Sequence, residues 1–92
     1  MQPLKSLSHG ALVDIIRRQP DSKERTNVAW QLAVGPAIAR ATTVFLADGV
    51  LTVGAADPRW IREIERARDI VLLKMQAVLG TDQVTRLKTR NA

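Results

Sequence analysis

Apolar residues recur at helical spacing in the first part of the chain. One predicted helix, Ala11–Gln19, ends before Pro20, because proline disfavours helical geometry in the residue that precedes it. A second begins at Asp21, where Glu24 three residues later gives the form of a capping box. Its apolar stripe is predicted from Val28, Ala29, Leu32 and Ala33, with Trp30 to one side. A further helical turn follows, with Pro36 as its first residue.

The middle of the chain changes to the alternation of a β-hairpin. Two strand-like runs, Val44–Leu46 and Val50–Ala55, flank Asp48 and Gly49, and an aspartate–glycine pair between such runs is a strong hairpin signal. A last strand is predicted over Val84–Arg90, where basic residues alternate with leucine and threonine.

The longest predicted element is a single helix from about Pro58 to Leu79. Asp57 suits its N-cap, Pro58 its first position and Gly80 its far end. One apolar stripe follows its whole length: Trp60, Ile64, Ala67, Val71, Met75 and Val78. Further apolar residues widen that stripe: Ile61, Ile70, Leu72, Leu73 and Leu79. The second half is therefore either deeply buried or a contact surface.

The order helix, helix, strand, strand, helix, strand predicts an α+β fold. Because a long helix separates the last two strands, the last strand can cross over and lie parallel to the second. We expect a three-stranded sheet with the helices packed on one face. The chain fits a single domain over residues 1–92, and residues 1–10 are left open as a loosely ordered segment.

The amino-acid composition limits which partners and activities the chain can have. The 92 residues include 14 Lys and Arg against 9 Asp and Glu, a net charge of +5 that attracts phosphate-rich or acidic partners. There is no cysteine and one histidine, and no nucleophile–base pair, metal set or phosphate loop is recognisable. We therefore expect no enzyme activity, cofactor, metal or small-molecule substrate. The sequence contains neither a membrane-length apolar run nor a signal peptide, so no membrane partner and a cytoplasmic location are expected.

Five segments, in order, are similar to segments of one bacterial family. They are the tryptophan and Val-Gly-Pro run Ala29–Ala39, the hairpin segment Asp48–Val53, Pro58-x-Trp60-x-x-Glu63-Ile64, the pair Val71-Leu72, and Leu79-Gly80 followed by Val84–Lys88. On these residues the chain resembles the DciA-like family over roughly Leu12–Lys88. The chain departs from the expected pattern at several points, including the following two. Phe45 stands where the family usually has a polar residue, and the Gly-x-x-Gly loop of true KH domains is absent.

The resemblance implies a KH-like domain that acts in bacterial DNA replication. Its implied partners are the DnaB-type replicative helicase, whose loading it would promote, and single-stranded or forked DNA, held weakly and without sequence preference. Two other classes stay open from the residues themselves. The charge also fits a general single-stranded DNA- or RNA-binding module, and the apolar second half of the long helix also fits an oligomerising interaction domain.

Three groups of basic residues are candidates for nucleic-acid contacts: Arg86, Lys88 and Arg90 on the last strand; Arg59, Arg62 and Arg66 on the long helix; and Arg17 and Arg18 at the end of the first helix. The strand group shares one face and could follow a phosphate backbone, or it could protect an edge strand against aggregation. In the long helix, Glu63 and Glu65 are expected to pair with Arg59 and Arg62, which favours a self-neutralised surface. Acidic neighbours favour the same interpretation for Arg17 and Arg18.

Apolar side chains provide the candidates for protein contacts. Trp60 lies in the first turn of the long helix, where an exposed tryptophan could anchor a partner. The pair Leu72 and Leu73 is core by default, with a helicase- or self-contact patch as the alternative. Trp30 is expected in the core.

Overall fold

The computed structural model describes residues 9–91, so residues 1–8 of the segment left open as loosely ordered lie outside the described residues. The elements are α1 (His9–Arg18), α2 (Lys23–Val34), α3 (Pro36–Ala41), β1 (Thr43–Ala47), β2 (Val50–Ala55), α4 (Pro58–Arg66), α5 (Arg68–Leu79) and β3 (Arg86–Asn91). Within residues 9–91, no helix combines the length and apolarity that a bilayer crossing needs.

The three strands form one mixed sheet in the order β1-β2-β3. β1 and β2 pair antiparallel, and β2 and β3 pair parallel, which confirms the predicted α+β fold and its crossover. The hairpin turn is also confirmed: Asp48 and Gly49 have φ values of 53° and 79°, and the favoured two-residue hairpin turn needs positive φ at both positions.

The helices pack on one face of this sheet, as predicted. α2 contacts β1, α4 contacts β2 and β3, and α1 packs against α2 and α5. Leu51 and Val53 of β2 are fully buried on the helix side, and Leu87 of β3 lies beside Leu51 in the parallel register. The helices contribute Trp30, Ile64 and Met75 to the same core. We call this the covered face, and the opposite side of the sheet the open face.

The prediction of one long helix over Pro58–Leu79 is wrong, because the helix is divided at Ala67. This residue has φ −100° and ψ 15°, outside helical geometry. α4 packs on β2 and β3, whereas α5 packs chiefly on α1 and α2, so the two halves follow different neighbours. No proline or glycine marks the division in the sequence. The predicted stripe nevertheless faces the core, with Ile64, Val71, Met75 and Val78 buried.

The start and the buried face of α2 also differ from prediction. The N-cap is Ser22, whose Oγ accepts a hydrogen bond of 3.1 Å from the backbone N–H of Arg25, and not Asp21. Val28, predicted in the apolar stripe, is 53 % exposed, whereas Thr26 is buried. The expected core position of Trp30 is confirmed at 2 % exposure.

Trp30 can be buried because its polar atom has a partner. Its Nε1 donates to Thr42 Oγ1 at 2.8 Å, and that hydroxyl donates to the carbonyl oxygen of Ile38 at 2.7 Å. An indole N–H that enters a core normally needs such an acceptor. The tryptophan therefore ties α2 to the end of α3, directly before β1.

Candidate nucleic-acid interface

The open face of the sheet carries the basic strand that the sequence predicts. Leu87 points into the core, so the alternating neighbours Arg86, Lys88 and Arg90 lie on the other side, and all three are exposed. None of them belongs to an ion pair among the described residues. Since β3 is also an edge of the sheet, the arrangement is compatible with both predicted roles, phosphate contact and edge protection.

The pairing register aligns this basic strand with an aromatic residue. Lys88 pairs with Thr52 of β2, and Thr52 pairs with Phe45 of β1, so the three side chains form one row across the open face. Phe45 is 65 % exposed. Neighbouring strands lie about 4.8 Å apart, so the lysine and the phenylalanine are about 10 Å apart at their Cα atoms. The open face thus combines an exposed ring with unpaired cations.

A cleft of about 650 Å³ continues the open face around the edge of β1 towards α2 and α3. Arg90 and Phe45 line it from the sheet, and Lys23 and Arg40 line it from the helices. Among residues 9–91, no carboxylate lines this cleft. We call it the β1-edge cleft. The predicted candidates for nucleic-acid contact do not include Lys23 or Arg40. Their positions far along the chain from β3 gave no signal that the fold would bring them near Arg90.

Two of the three basic residues of α4 are neutralised, but by other partners than predicted. Arg59 pairs with Asp57 at 2.8 Å instead of Glu63, which pairs with Arg66 at 3.2 Å. Glu65 lies 3.7 Å from Arg68 instead of pairing with Arg62. Arg62 is exposed and takes part in none of the described ion pairs. The expected self-neutralised surface therefore forms around Arg59 and Arg66 but does not include Arg62.

The Asp57–Arg59 pair has a resolved electrostatic effect. The side-chain hydrogen bond from Arg59, and then the backbone N–H of the same residue, lower the pKa of the Asp57 carboxyl below its ordinary value. The same side-chain hydrogen bond raises the pKa of the Arg59 guanidinium. Asp57 accepts the Arg59 N–H at 2.9 Å as the N-cap of α4, which confirms the predicted cap. This arginine is thus held at the helix start.

Arg17 has a structural position that the sequence analysis missed. Its Nε donates to the carbonyl oxygen of Val78 at 3.1 Å and its Nη2 to that of Ala77 at 2.7 Å, at the C-terminal end of α5. The negative end of a helix dipole favours a cation there. Arg18 is exposed on the same helix and lies in none of the described ion pairs. Both residues lie on α1, which packs on helices, so the structure does not bring them to the open face.

The predicted protein-contact residues lie on α4 and α5. Trp60 is half-buried, and Leu72 is partly buried against the core, whereas Leu73 is 65 % exposed. Ile70, three residues before Leu73, is 60 % exposed, so the two form an apolar patch on one side of α5. The expectation that Leu72 and Leu73 are both core is therefore wrong for Leu73. A second apolar surface that the sequence analysis missed lies between α1 and α2, where Ile15 and Val28 border a groove of about 410 Å³.

The described residues contain no group of three or more His, Cys, Asp or Glu side chains placed to hold a metal ion. The features that stand out are instead surfaces: the open face with its cleft, and the apolar patch on α5.

The fold and these surfaces define a small α+β protein with a mixed three-stranded sheet, one covered face and one basic open face. The family described as "Dna[CI] antecedent, DciA" matches residues 4–89, nearly the whole chain, and the chain belongs to this family. A UPF0232 protein of Mycolicibacterium smegmatis (strain ATCC 700084 / mc(2)155) is 40 % identical over 60 residues, which is 64 % of this chain and 31 % of that relative. The match thus spans about a third of the relative's length. The family is one of replication accessory proteins related to helicase loading.

Proposed function

We propose that the chain binds a DnaB-type replicative helicase and promotes its loading on DNA, with weak, sequence-independent contacts to the DNA itself. The observation that carries this proposal is family membership over residues 4–89. The role is that of an accessory without bond-making chemistry, in the cytoplasm of a bacterium. The helicase would supply the specificity, and the small domain would supply contact surfaces.

The open face supports the DNA part of the proposal. Arg86, Lys88 and Arg90 present their charges to solvent on one side of β3 without a described carboxylate partner. Each phosphate neutralised on a single strand contributes about −0.7 to the logarithmic salt slope of binding. With the few cations available here, binding is expected to be weak and strongly salt-dependent.

The half-buried Trp60 and the exposed patch of Ile70 and Leu73 support the protein part. Large apolar side chains at a surface are frequent anchors of protein interfaces. α4 and α5 present them away from the basic strand, since those helices lie on the covered side of the sheet. Protein and DNA contacts can therefore occupy different surfaces of the same small domain.

Helicase binding is tested by co-purification with the cognate helicase, with Trp60→Ala and Leu73→Ala compared with the parent protein. Ile15→Ala is a matched control, because it removes an exposed aliphatic side chain from a different surface. We expect weaker capture for the first two variants and unchanged capture for the control. If the parent protein neither binds the helicase nor changes the amount loaded on DNA, the proposed function is wrong.

The DNA contact is tested separately by comparing two double variants of equal charge change. Arg86/Lys88→Ala is expected to reduce the magnitude of the logarithmic salt slope by about 1.4, since two phosphate contacts are lost. Arg18/Lys74→Ala removes one arginine and one lysine from exposed helical positions and should leave the slope unchanged. Equal slopes for the two variants would mean that the basic strand protects an edge and does not contact phosphates.

Self-association is a second candidate, favoured specifically by the exposure of Ile70 and Leu73. It is tested by light scattering over a concentration series of the parent protein and of Leu73→Asp. A concentration-dependent mass that is lost in Leu73→Asp would favour an oligomerising role for α5. A monomer at every concentration would remove this candidate.

A further inference from the structure

The β1-edge cleft has an uncompensated positive charge. Lys23, Arg40 and Arg90 line it, all three are exposed, and none belongs to an ion pair among the described residues. Around Asp57 and Glu63, by contrast, the neighbouring arginines have acidic partners. A cleft with cations on two sides and no carboxylate in its described lining suits a ligand with phosphate groups.

One cross-strand row contributes to the part of the cleft that lies on the sheet. In the register, Thr43, Gly54 and Arg90 form one row across β1, β2 and β3. Gly54 has no side chain there, and a Cβ at this position would lie 3.0 Å from Thr43 Oγ1 and 3.6 Å from Arg90 Cγ. Gly54 is therefore covered by the Thr43 hydroxyl and the stem of Arg90, which form the surface of the cleft at this level.

Phe45 stands in the row directly beside this part of the cleft. Its ring is largely exposed, so packing within the fold explains little of its presence on the open face. An aromatic ring beside a basic groove is a platform for base stacking, and stacking tolerates any sequence because every base has a π face. Trp30 is the other aromatic residue in the described lining of the cleft, and its ring is buried.

We infer that the β1-edge cleft binds a single-stranded nucleic acid that runs across the strands of the open face, with one base stacked on Phe45 and phosphates held by Arg90, Arg40 and Lys23. This inference rests on the proposed function and adds to it a path and a base-contacting residue. A backbone that followed β3 alone would meet Arg86, Lys88 and Arg90 but would leave Phe45 and Arg40 without contact. The two paths therefore share Arg90 but otherwise depend on different residues.

The test is the anisotropy of a labelled thymidine oligonucleotide of about ten nucleotides, titrated with the protein in the absence of helicase. Phe45→Ala is expected to weaken binding roughly 5- to 150-fold, the effect of losing one stacked base. Phe45→Trp should restore the affinity, since it keeps a stacking surface. Neither change should alter the salt slope, because no phosphate contact is lost.

Two charge variants test the path across the strands. Arg40→Ala should reduce the magnitude of the salt slope by about 0.7, and its matched control Arg18→Ala should not, although both remove one exposed arginine from the last turn of a short helix. The inference is overturned if Phe45→Ala binds like the parent protein, or if Arg40→Ala matches Arg18→Ala. It is also overturned if the parent protein gives no anisotropy change at low salt.

The proposed function is measured independently by capture of the helicase with the same Phe45→Ala protein. Capture that persists while oligonucleotide binding falls supports both conclusions. If Phe45→Ala binds the oligonucleotide like the parent protein but helicase capture is intact, the cleft inference is wrong and the helicase function stands. If oligonucleotide binding depends on Phe45 but the parent protein captures no helicase, only the proposed helicase function is wrong. A parallel titration with a uridine oligoribonucleotide of the same length distinguishes a preference for DNA from one for RNA.

Discussion

The two faces of the sheet are built from the same strands but differ in what their side chains do. On the covered face, Leu51 and Val53 are completely buried. One residue along the strand, Thr52 lies on the open face between Phe45 and Lys88. Because side chains of a strand alternate between faces, neighbouring residues can serve stability and binding separately. Substitutions on the covered face should therefore change the stability of the core, and those on the open face should change contact with a ligand.

The largest expected difference is between Leu51→Ala and Phe45→Ala. Leu51 is fully buried, and truncation of such a leucine costs about 2–5 kcal/mol of unfolding free energy. Phe45 is mostly exposed, so its truncation should cost less than about 1 kcal/mol, which covers its cross-strand contact with Thr52. Urea denaturation followed by circular dichroism measures both. Equal losses would contradict the division into a covered and an open face.

Thr42→Val is the next largest expected effect, and it probes the polar contact inside the covered side. The change removes the hydroxyl that accepts from Trp30 Nε1, so a buried indole N–H loses its partner. Such an unsatisfied group costs about 1–3 kcal/mol. Thr42→Ser keeps the hydroxyl and should retain most of the stability in the same denaturation experiment. If valine is tolerated as well as serine, the hydrogen bond contributes little to holding Trp30.

The covered face is largely predictable from sequence, since it depends on periodicity. The stripe from Ile64 to Val78 and the hairpin turn at Asp48 and Gly49 follow from local patterns, and both are confirmed. The division of the long helix at Ala67 is not predictable, because it arises from the different neighbours of α4 and α5 and no local residue encodes it. The prediction for Val28 is wrong for the same kind of reason. The face of α2 that carries Trp30 is turned towards Thr42 and the core, and this orientation leaves Val28 exposed.

The candidate site is predictable only in part. The basic alternation along β3 is a local pattern, and it indicates which side of that strand is exposed. No local pattern indicates the β1-edge cleft. Arg40 lies 17 residues after Lys23 and 50 residues before Arg90, and only the fold brings the three to one cleft. Phe45 is visible as an aromatic residue of a predicted strand, but its alignment with Lys88 depends on the register of three strands. Long-range placement is the part that local patterns do not contain.

A smaller loss of unfolding free energy is expected from Arg17→Ala. Arg17 and Arg18 are neighbours on α1, but only Arg17 has a described hydrogen bond to another helix. Arg17 holds two carbonyl oxygens at the end of α5, whereas Arg18 lies exposed beside it. Hydrogen bonds of this kind have a net value of about 0.5–1.5 kcal/mol, so Arg17→Ala should lower the unfolding free energy by about 1 kcal/mol. Arg18→Ala should change it by less than about 0.5 kcal/mol. If thermal and urea denaturation give the two variants the same stability, the contacts of Arg17 with Ala77 and Val78 have no net value.

The smallest expected effect is a pH dependence at the start of α4. Because Arg59 lowers the pKa of Asp57 in the folded protein, the folded state binds fewer protons in acid than the unfolded chain does. The contribution is therefore fully present above the unfolded pKa of an aspartate and is lost as the pH falls through the folded value. Asp57→Asn keeps an oxygen that can accept the Arg59 N–H but removes the charge, so this part of the pH dependence should disappear.

Arg59→Gln removes the guanidinium hydrogen bond, the largest cause of the lowered Asp57 pKa, but keeps the backbone N–H, so it should flatten the same part of the stability curve in part. Both differences from the parent protein should be present at pH 7, shrink as the pH falls below the ordinary pKa of an aspartate, and shrink again in concentrated salt, which screens an exposed pair. Urea denaturation at a series of pH values measures this. A parent curve that keeps its shape in both variants would show that the pair contributes no pH-dependent stability. The α4 N-terminus would then depend on the N-cap hydrogen bond alone. The Asp57–Arg59 ion pair would serve only to neutralise the surface there, in contrast to the unpaired cations of the open face.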